Sequence, residues 1–230
     1  MAAEVFNRRR PGNWIPRYEK AIRYFDASFP TITTLLVGDI GGTAHGDVDG
    51  DGATARLNAT AFTIFTVGST PLLFIADERN CKIRTATLTG TPTVATAVGN
   101  SSECYAVDGD AAFVRCVGPK TMHPLNVLNG AFLLFGETRH LRRMRTSDNH
   151  TVTIAGDSVF STASSGLPFN VYLGTVHAIT TVPNVVDDAN VVVYLAVSAN
   201  AMLRRYERGY VLGLISTSAG SVDGVGIAAR

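Results

Sequence analysis

An all-β fold built from a repeated unit is predicted by three observations. Short runs alternating between apolar and polar residues recur along most of the chain, no long window carries a helical stripe, and segments about sixty residues apart resemble one another. The runs are "TITTLLVG", "TAFTIFTV", "PLLFIAD", "TVATAVG", "AFLLFG", "TVTIAG", "VVVYLAV" and "YVLGLIS". They are rich in β-branched and aromatic residues and are punctuated by Gly, Pro, Asn and Asp, which is how strands and turns are spelled. A single short helical candidate, "RYEKAIRYF" (17–25), stands against them. With 230 residues, 46% hydrophobic and 17% charged, the chain is long and apolar enough for a sizeable core.

The repeat can be read directly. "DVDGDGATAR" (47–56) aligns with "AVDGDAAFVR" (106–115) at a shift of 59 residues, and "SVDGVGIAAR" (221–230) repeats the pattern again. Between these lies a second family of matches: "FIADERNCKIRTAT" (74–87), "FGETRHLRRMRTS" (135–147) and "LAVSANAMLRRYE" (195–207). Each reads as a strand, a polar turn and a strand with an apolar residue beside Arg. Ile83, Met144 and Leu203 are taken to mark a common register. Upstream, "AIRYFDASFPTITTLLVGD" (21–39) resembles "KIRTATLTGTPTVATAVGN" (82–100), with Ile22 answering Ile83 and Gly38 answering Gly99.

Each complete unit therefore predicts four strands: 59–67, 72–77, 81–88 and 93–98, then 122–128, 131–136, 141–146 and 151–155, then 176–182, 191–197, 201–207 and 210–216. Four antiparallel strands per repeat is the make-up of a β-propeller blade, whose apolar faces are covered by neighbouring blades. The expected layout is an N-terminal extension or partial strand (1–20), a half-blade (21–38), three complete blades (39–100, 101–156 and 157–220) and the start of a further blade (221–230). Because propellers close with about four to eight blades, this count suggests part of a larger propeller, or a four-bladed ring completed by the N-terminal strands. Open blade edges would permit self-association.

The segments "GDGATARLN" (50–58) and "LLFIADERNCKIR" (72–84), in this order, resemble the NHL-repeat β-propellers. Later copies diverge: Glu137 and His140 stand where Asp77 and Asn80 do, Val197 replaces the Asp of the third unit, and 157–170 has no acidic Asp-Gly pair. The resemblance implies a propeller scaffold, and some members of the family bind RNA or are lyases or hydrolases with a metal in the central channel.

Candidate sites follow from the charges. Asp47, Asp49 and Asp51 alternate and meet Gly52 like the start of a calcium loop, although Asn58 stands where a bidentate Glu is needed. The competing reading is a turn, in which Gly permits positive φ and Asp bonds the following amides. No other cofactor is expected. Lys82, Arg84, Arg142, Arg143, Arg145, Arg204 and Arg205 lie on third strands and form candidate basic ridges for phosphate or RNA; the alternative is solvent-facing arginines paired with acids. The net charge of +1 gives no global attraction to polyanions. His45, His123, His140, His150 and His177 are scattered, and neither a metal-spaced pair nor a nucleophile elbow is present.

Cys81, Cys104 and Cys116 lack metal spacing and allow one internal disulfide at most; three buried or half-buried thiols are the simpler expectation. The N-terminus has no apolar run behind its basic residues, and no stretch reaches about 18 apolar residues, so the sequence reads as soluble, without signal peptide or membrane segment, and leaves the compartment open. Three sequons, at Asn58, Asn100 and Asn149, are close to chance frequency. The expected function is a non-catalytic propeller scaffold presenting loops to a protein or glycan ligand. RNA or polyanion binding is the alternative, and an enzyme comes third.

Overall fold

The structure is a computed structural model that describes residues 2–5, 21–26, 29–38, 46–128, 130–156, 165–182, 190–198 and 202–215. These residues fold into antiparallel sheets in chain order. Sheet I comprises β1 (Ala2–Val5), β2 (Ala21–Asp26) and β3 (Phe29–Gly38). Sheet II comprises β4 (Gly50–Asp51), β5 (Ala59–Val67), β6 (Thr70–Asp77), β7 (Lys82–Thr87) and β8 (Thr93–Gly99), in the order β4-β8-β7-β6-β5. Sheet III is the meander β9 (Thr121–Val127), β10 (Gly130–Gly136), β11 (Leu141–Arg145) and β12 (Thr151–Ala155). Sheet IV is β13 (Val176–Thr181), β14 (Val192–Val197), β15 (Met202–Glu207) and β16 (Tyr210–Ile215). The twelve strands expected in the three complete units lie within about two residues of these at each end. The copy of the repeat at 221–230 lies outside the described residues.

The sheets stack face to face, and the apolar runs explain why. In β6, Leu73 and Ile75 point into a core shared with Ile22 and Val37 of sheet I, while Phe74 and Ala76 point into a core shared with Leu133 and Phe135 of sheet III. In β10 the division repeats, with Phe132 and Leu134 facing Val193 and Leu195 of sheet IV. Successive side chains on a strand point to opposite faces, so an unbroken run such as "LLFIA" or "FLLF" is what a strand buried on both faces requires. In β14 only Val193, Leu195 and Val197 are buried, and the residues between them are half-buried. First strands meet across the stack, β5 against β9 and β9 against β13.

One irregularity recurs at the same place in every sheet. The pairing register shifts between Ile22 and Arg23, between Ile83 and Arg84, between Leu141 and Arg142, and between Leu203 and Arg204. In each case the extra residue (Leu36, Ala97, Ile154 or Leu214) lies on the last strand, which bends there, while the arginine's strand keeps its pairing on the other side without interruption. The shift also corrects the common register: Leu141, not Met144, answers Ile83 and Leu203. The turn from Glu137 to Arg142 is two residues shorter than the turn from Asp77 to Arg84, which displaced the sequence alignment. The helical candidate is corrected as well: its described part, from Ala21, is strand β2. The last strands of sheets II and III end on Gly99 and next to Gly156, at φ of 100° and 101°. A Cβ at either position would strike a carbonyl oxygen, that of Cys81 or Arg139, so glycine is required there.

Candidate functional site

The aspartate-glycine segments form connectors between sheets. Val48 and Arg56 pair across a small hairpin, Asp51 C=O accepts from the amides of Thr54 (2.8 Å) and Ala55 (2.9 Å), and Gly50 pairs with Val94 on the last strand of sheet II. The second copy is superimposable in its bonding. Val107 pairs with Arg115, Asp110 C=O accepts from Phe113 (2.8 Å) and Val114 (3.1 Å), and Gly109 pairs with Thr151 of sheet III. A third connector precedes sheet IV without an acidic signature. Gly166 pairs with Val211, and Leu167 C=O accepts from Asn170 at 3.0 Å. It reads "SGLPFNVY" where its counterparts read "DGDGATAR" and "DGDAAFVR".

Beneath each connector lies the arginine set off by the bulge, and all three are fully buried. In sheet II, Arg84 is held by three carboxylates: Nε donates to Asp77 at 2.9 Å, Nη1 to Asp49 and Nη2 to Asp47. Asp77 also accepts from the amide of Asn58 (2.7 Å) and from Asn80 (2.9 Å), and Asp49 accepts from the Thr96 amide (2.9 Å). Lys82 completes the cluster on Asp47 at 2.6 Å. Partial burial would push the Asp47 carboxyl up, but the bonds from Lys82 and Ser101 and the charges of Arg84 and Lys82 hold it below its ordinary value. The calcium candidates of the sequence are Asp47, Asp49 and Asp51. The first two already face a guanidinium and an ammonium, and Asp51 uses its backbone carbonyl to close the turn. Among the described residues no three His, Cys, Asp or Glu side chains converge as a metal group.

In sheet III, Arg142 Nη2 donates to Asp108 (2.9 Å) and the Val107 carbonyl (2.6 Å), and Nη1 to the Arg115 carbonyl (2.6 Å) and, at 3.4 Å, to Glu137. Asp108 also accepts from the Thr153 amide at 2.8 Å. Burial raises the Glu137 carboxyl above its usual range, against the opposing charge of Arg142. In sheet IV, Ser165 stands where Asp49 and Asp108 stand and accepts from the Gly213 amide at 2.8 Å. Val197 replaces Asp77 and Glu137, and Ser198 accepts from the Thr175 amide at 2.8 Å. Arg204 Nε and Nη1 have no hydrogen-bond partner, and burial lowers its pKa.

The seven basic residues expected to form surface ridges are thus dispersed. Arg84, Arg142 and Arg204 are interior, Lys82 pairs with Asp47, Arg143 lies over the Phe132 ring at 4.8 Å, Arg145 pairs with Asp148 at 2.5 Å, and Arg205 with Glu207 at 3.0 Å. Lys82 and Arg84 share a face, as alternation implies, for both reach Asp47; what alternation could not foretell is that a connector covers that face.

Cys81 and Cys104 form a disulfide with Cα atoms 5.5 Å apart, correcting the expectation of three thiols. Cys116 is a buried free thiol whose pKa is driven up, first by burial and then by Glu137. The disulfide ties the β6–β7 turn to the segment entering the second connector. That segment carries Tyr105, 53% exposed, on one side of a cavity of about 530 Å³. Phe169, 56% exposed, lines it as well, together with Arg139, His140 and Thr153. His140 Nδ1 lies 3.7 Å from Glu137. The cleft offers two accessible aromatic rings beside a guanidinium, an imidazole and a hydroxyl, groups suited to stacking and hydrogen bonding. Nothing in the sequence marked it, because its lining comes from five segments separated along the chain, 104–108, 117, 139–140, 153–156 and 169.

Comparison with known proteins supports the fold. A crystal structure of a structural-genomics protein of unknown function from Bacteroides thetaiotaomicron VPI-5482 is similar, with a TM-score of 0.58 and 14% identity over 82% of this chain. The chain spans 42% of that protein's length. No family model and no curated protein matches the chain. Among the described residues, no helix is long and apolar enough to cross a membrane.

Proposed function

We propose that the sheets are successive blades of a β-propeller of NHL-like type and that the chain is a non-catalytic binding module, with the Tyr105–Phe169 cleft as its ligand site. The observation that carries this reading is that two aromatic rings, Tyr105 and Phe169, each more than half exposed, line one cavity whose walls also hold Asp108, Arg139, His140 and Thr153. A sugar residue, with a flat apolar face and a hydroxyl periphery, fits that pattern: it stacks on a ring and bonds the polar groups around it. The dispersal of the third-strand arginines speaks against RNA as the ligand, since phosphate tracking needs a contiguous basic surface.

A glycan array followed by titration calorimetry tests the reading. Binding should weaken at least tenfold in the Tyr105→Ala/Phe169→Ala double variant and persist in Phe113→Ala, which removes an aromatic residue that is 68% exposed outside the cleft. Equal loss in both variants, or binding indifferent to the double change, would remove the cleft from the account. Capture of peptides in place of glycans would keep the site and change the ligand class.

A further inference from the structure

We propose that sheet IV carries an anion site, in which a small monovalent anion such as chloride or a lone carboxylate group binds between Arg204 and Ser165. This inference is independent of the cleft.

The argument rests on equivalence of position. Arg84, Arg142 and Arg204 pair with Ile75, Phe135 and Leu195 of the neighbouring strand, each directly after the same register shift, and each is fully buried. In sheets II and III one aspartate on the connector bridges that guanidinium to the amide of the residue paired across from it. Asp49 joins Arg84 to the Thr96 amide, and Asp108 joins Arg142 to the Thr153 amide. In sheet IV the amide is that of Gly213, and the bridging residue is Ser165, shorter than aspartate by two heavy atoms. Its hydroxyl oxygen accepts from Gly213 and its hydroxyl hydrogen remains to donate. The second carboxylate of the cluster is also absent from the sequence here, because Val197 occupies the register position of Asp77 and Glu137.

A guanidinium does not shed its charge at accessible pH, so an interior one needs a counter-charge. Arg204 has two nitrogens without partners, no carboxylate among the described residues pairs with it, and burial lowers its pKa. Ser165 is exposed, so the position opens to solvent, as it does at Asp108, whose side chain is 43% exposed. The ligand the geometry asks for carries one negative charge and is no larger than the carboxylate it replaces. A guanidinium fork and a hydroxyl are suitable donors for it.

The test is thermal melting at constant ionic strength in sodium chloride and in sodium methanesulfonate, whose tetrahedral sulfonate head is larger than a carboxylate. Wild type should melt about 5 °C higher at saturating chloride. Arg204→Met should lose the difference, and Ser165→Asp, which supplies an internal carboxylate, should become insensitive to the anion. A wild-type melting temperature that ignores the anion, or a chloride response retained in Arg204→Met, overturns the site. If Arg204→Met does not fold, bromide-soaked crystals of the wild type decide. An anomalous peak at hydrogen-bonding distance from the Arg204 guanidinium supports the site, and its absence overturns it.

Discussion

Sheets II and IV share a connector turn bridged to the last strand, a bulge, a buried arginine and a meander of strands, yet they differ in what surrounds the arginine. In sheet II three carboxylates converge on Arg84. In sheet IV serine and valine occupy the equivalent positions around Arg204. Sheet III lies between them, with Asp108 at full hydrogen-bonding distance and Glu137 held at 3.4 Å. The backbone of the repeat therefore outlasts its charge complement. Backbone pairing and apolar packing between sheets set the shape, and the ion cluster is an addition whose removal leaves the connector turn and the bulge in place.

The comparison breaks most visibly at Arg84. Replacing it with Met leaves Asp77 buried without its cation and Asp47 and Asp49 without a shared partner, and should cost about 3–5 kcal/mol in urea unfolding, in keeping with buried pairs broken on one side. Next in size is the disulfide, which reinforces the border of sheet II with the second connector. Reduction, or the Cys81→Ser/Cys104→Ser double variant, should cost about 3 kcal/mol by the entropy of the loop it closes, read as a fall in melting temperature of several degrees.

Smaller effects sharpen the contrast between acidic and neutral connectors. Asp108→Asn keeps the shape and the bond to the Thr153 amide but removes the charge, and should cost about 1–2 kcal/mol; Ser165→Asp should change stability in the opposite direction by a similar amount. The smallest effect is one of pH. Burial raises the Glu137 carboxyl, so the folded state takes up a proton before the unfolded state does as pH falls. The stability this gives is fully present below the unfolded value near 4.5 and is lost as pH rises through the folded value. The stability margin of wild type over Glu137→Gln should therefore be widest below pH 4.5 and narrow as pH rises toward 7, measurable by melting across that range.

The strands were legible because each apolar run needs both faces of a sheet buried, and a period-two pattern bounded by turn residues admits little else. The connectors were legible as repeats, because Asp-Gly at a constant offset before Arg is written in the chain, although one copy could not be found: "SGLPFNVY" keeps the bridge of Gly166 to the last strand and the turn at the Leu167 carbonyl while sharing almost no letters with its counterparts. The role of the arginines was not legible. Alternation assigns Lys82 and Arg84 to one face, and both do reach Asp47, but only the folding of the connector over that face, with Asp47 and Asp49 on the guanidinium, buries Arg84. The Cys81–Cys104 bond and the cleft at Tyr105 and Phe169 depend on segments brought together only by sheet stacking, for which local spacing holds no signal.

The most direct measurement sets two matched substitutions side by side: urea unfolding of Arg142→Met and Arg204→Met in methanesulfonate buffer, where neither chloride nor a carboxylate can stand in for the acid. Arg142→Met should lose about 3 kcal/mol, because Glu137 and Asp108 are left without their cation, while Arg204→Met should be neutral or stabilising, because it removes a buried charge that nothing compensates. Equal losses in the two variants would contradict the account, since they would mean that the arginine serves sheet IV as it serves sheet III.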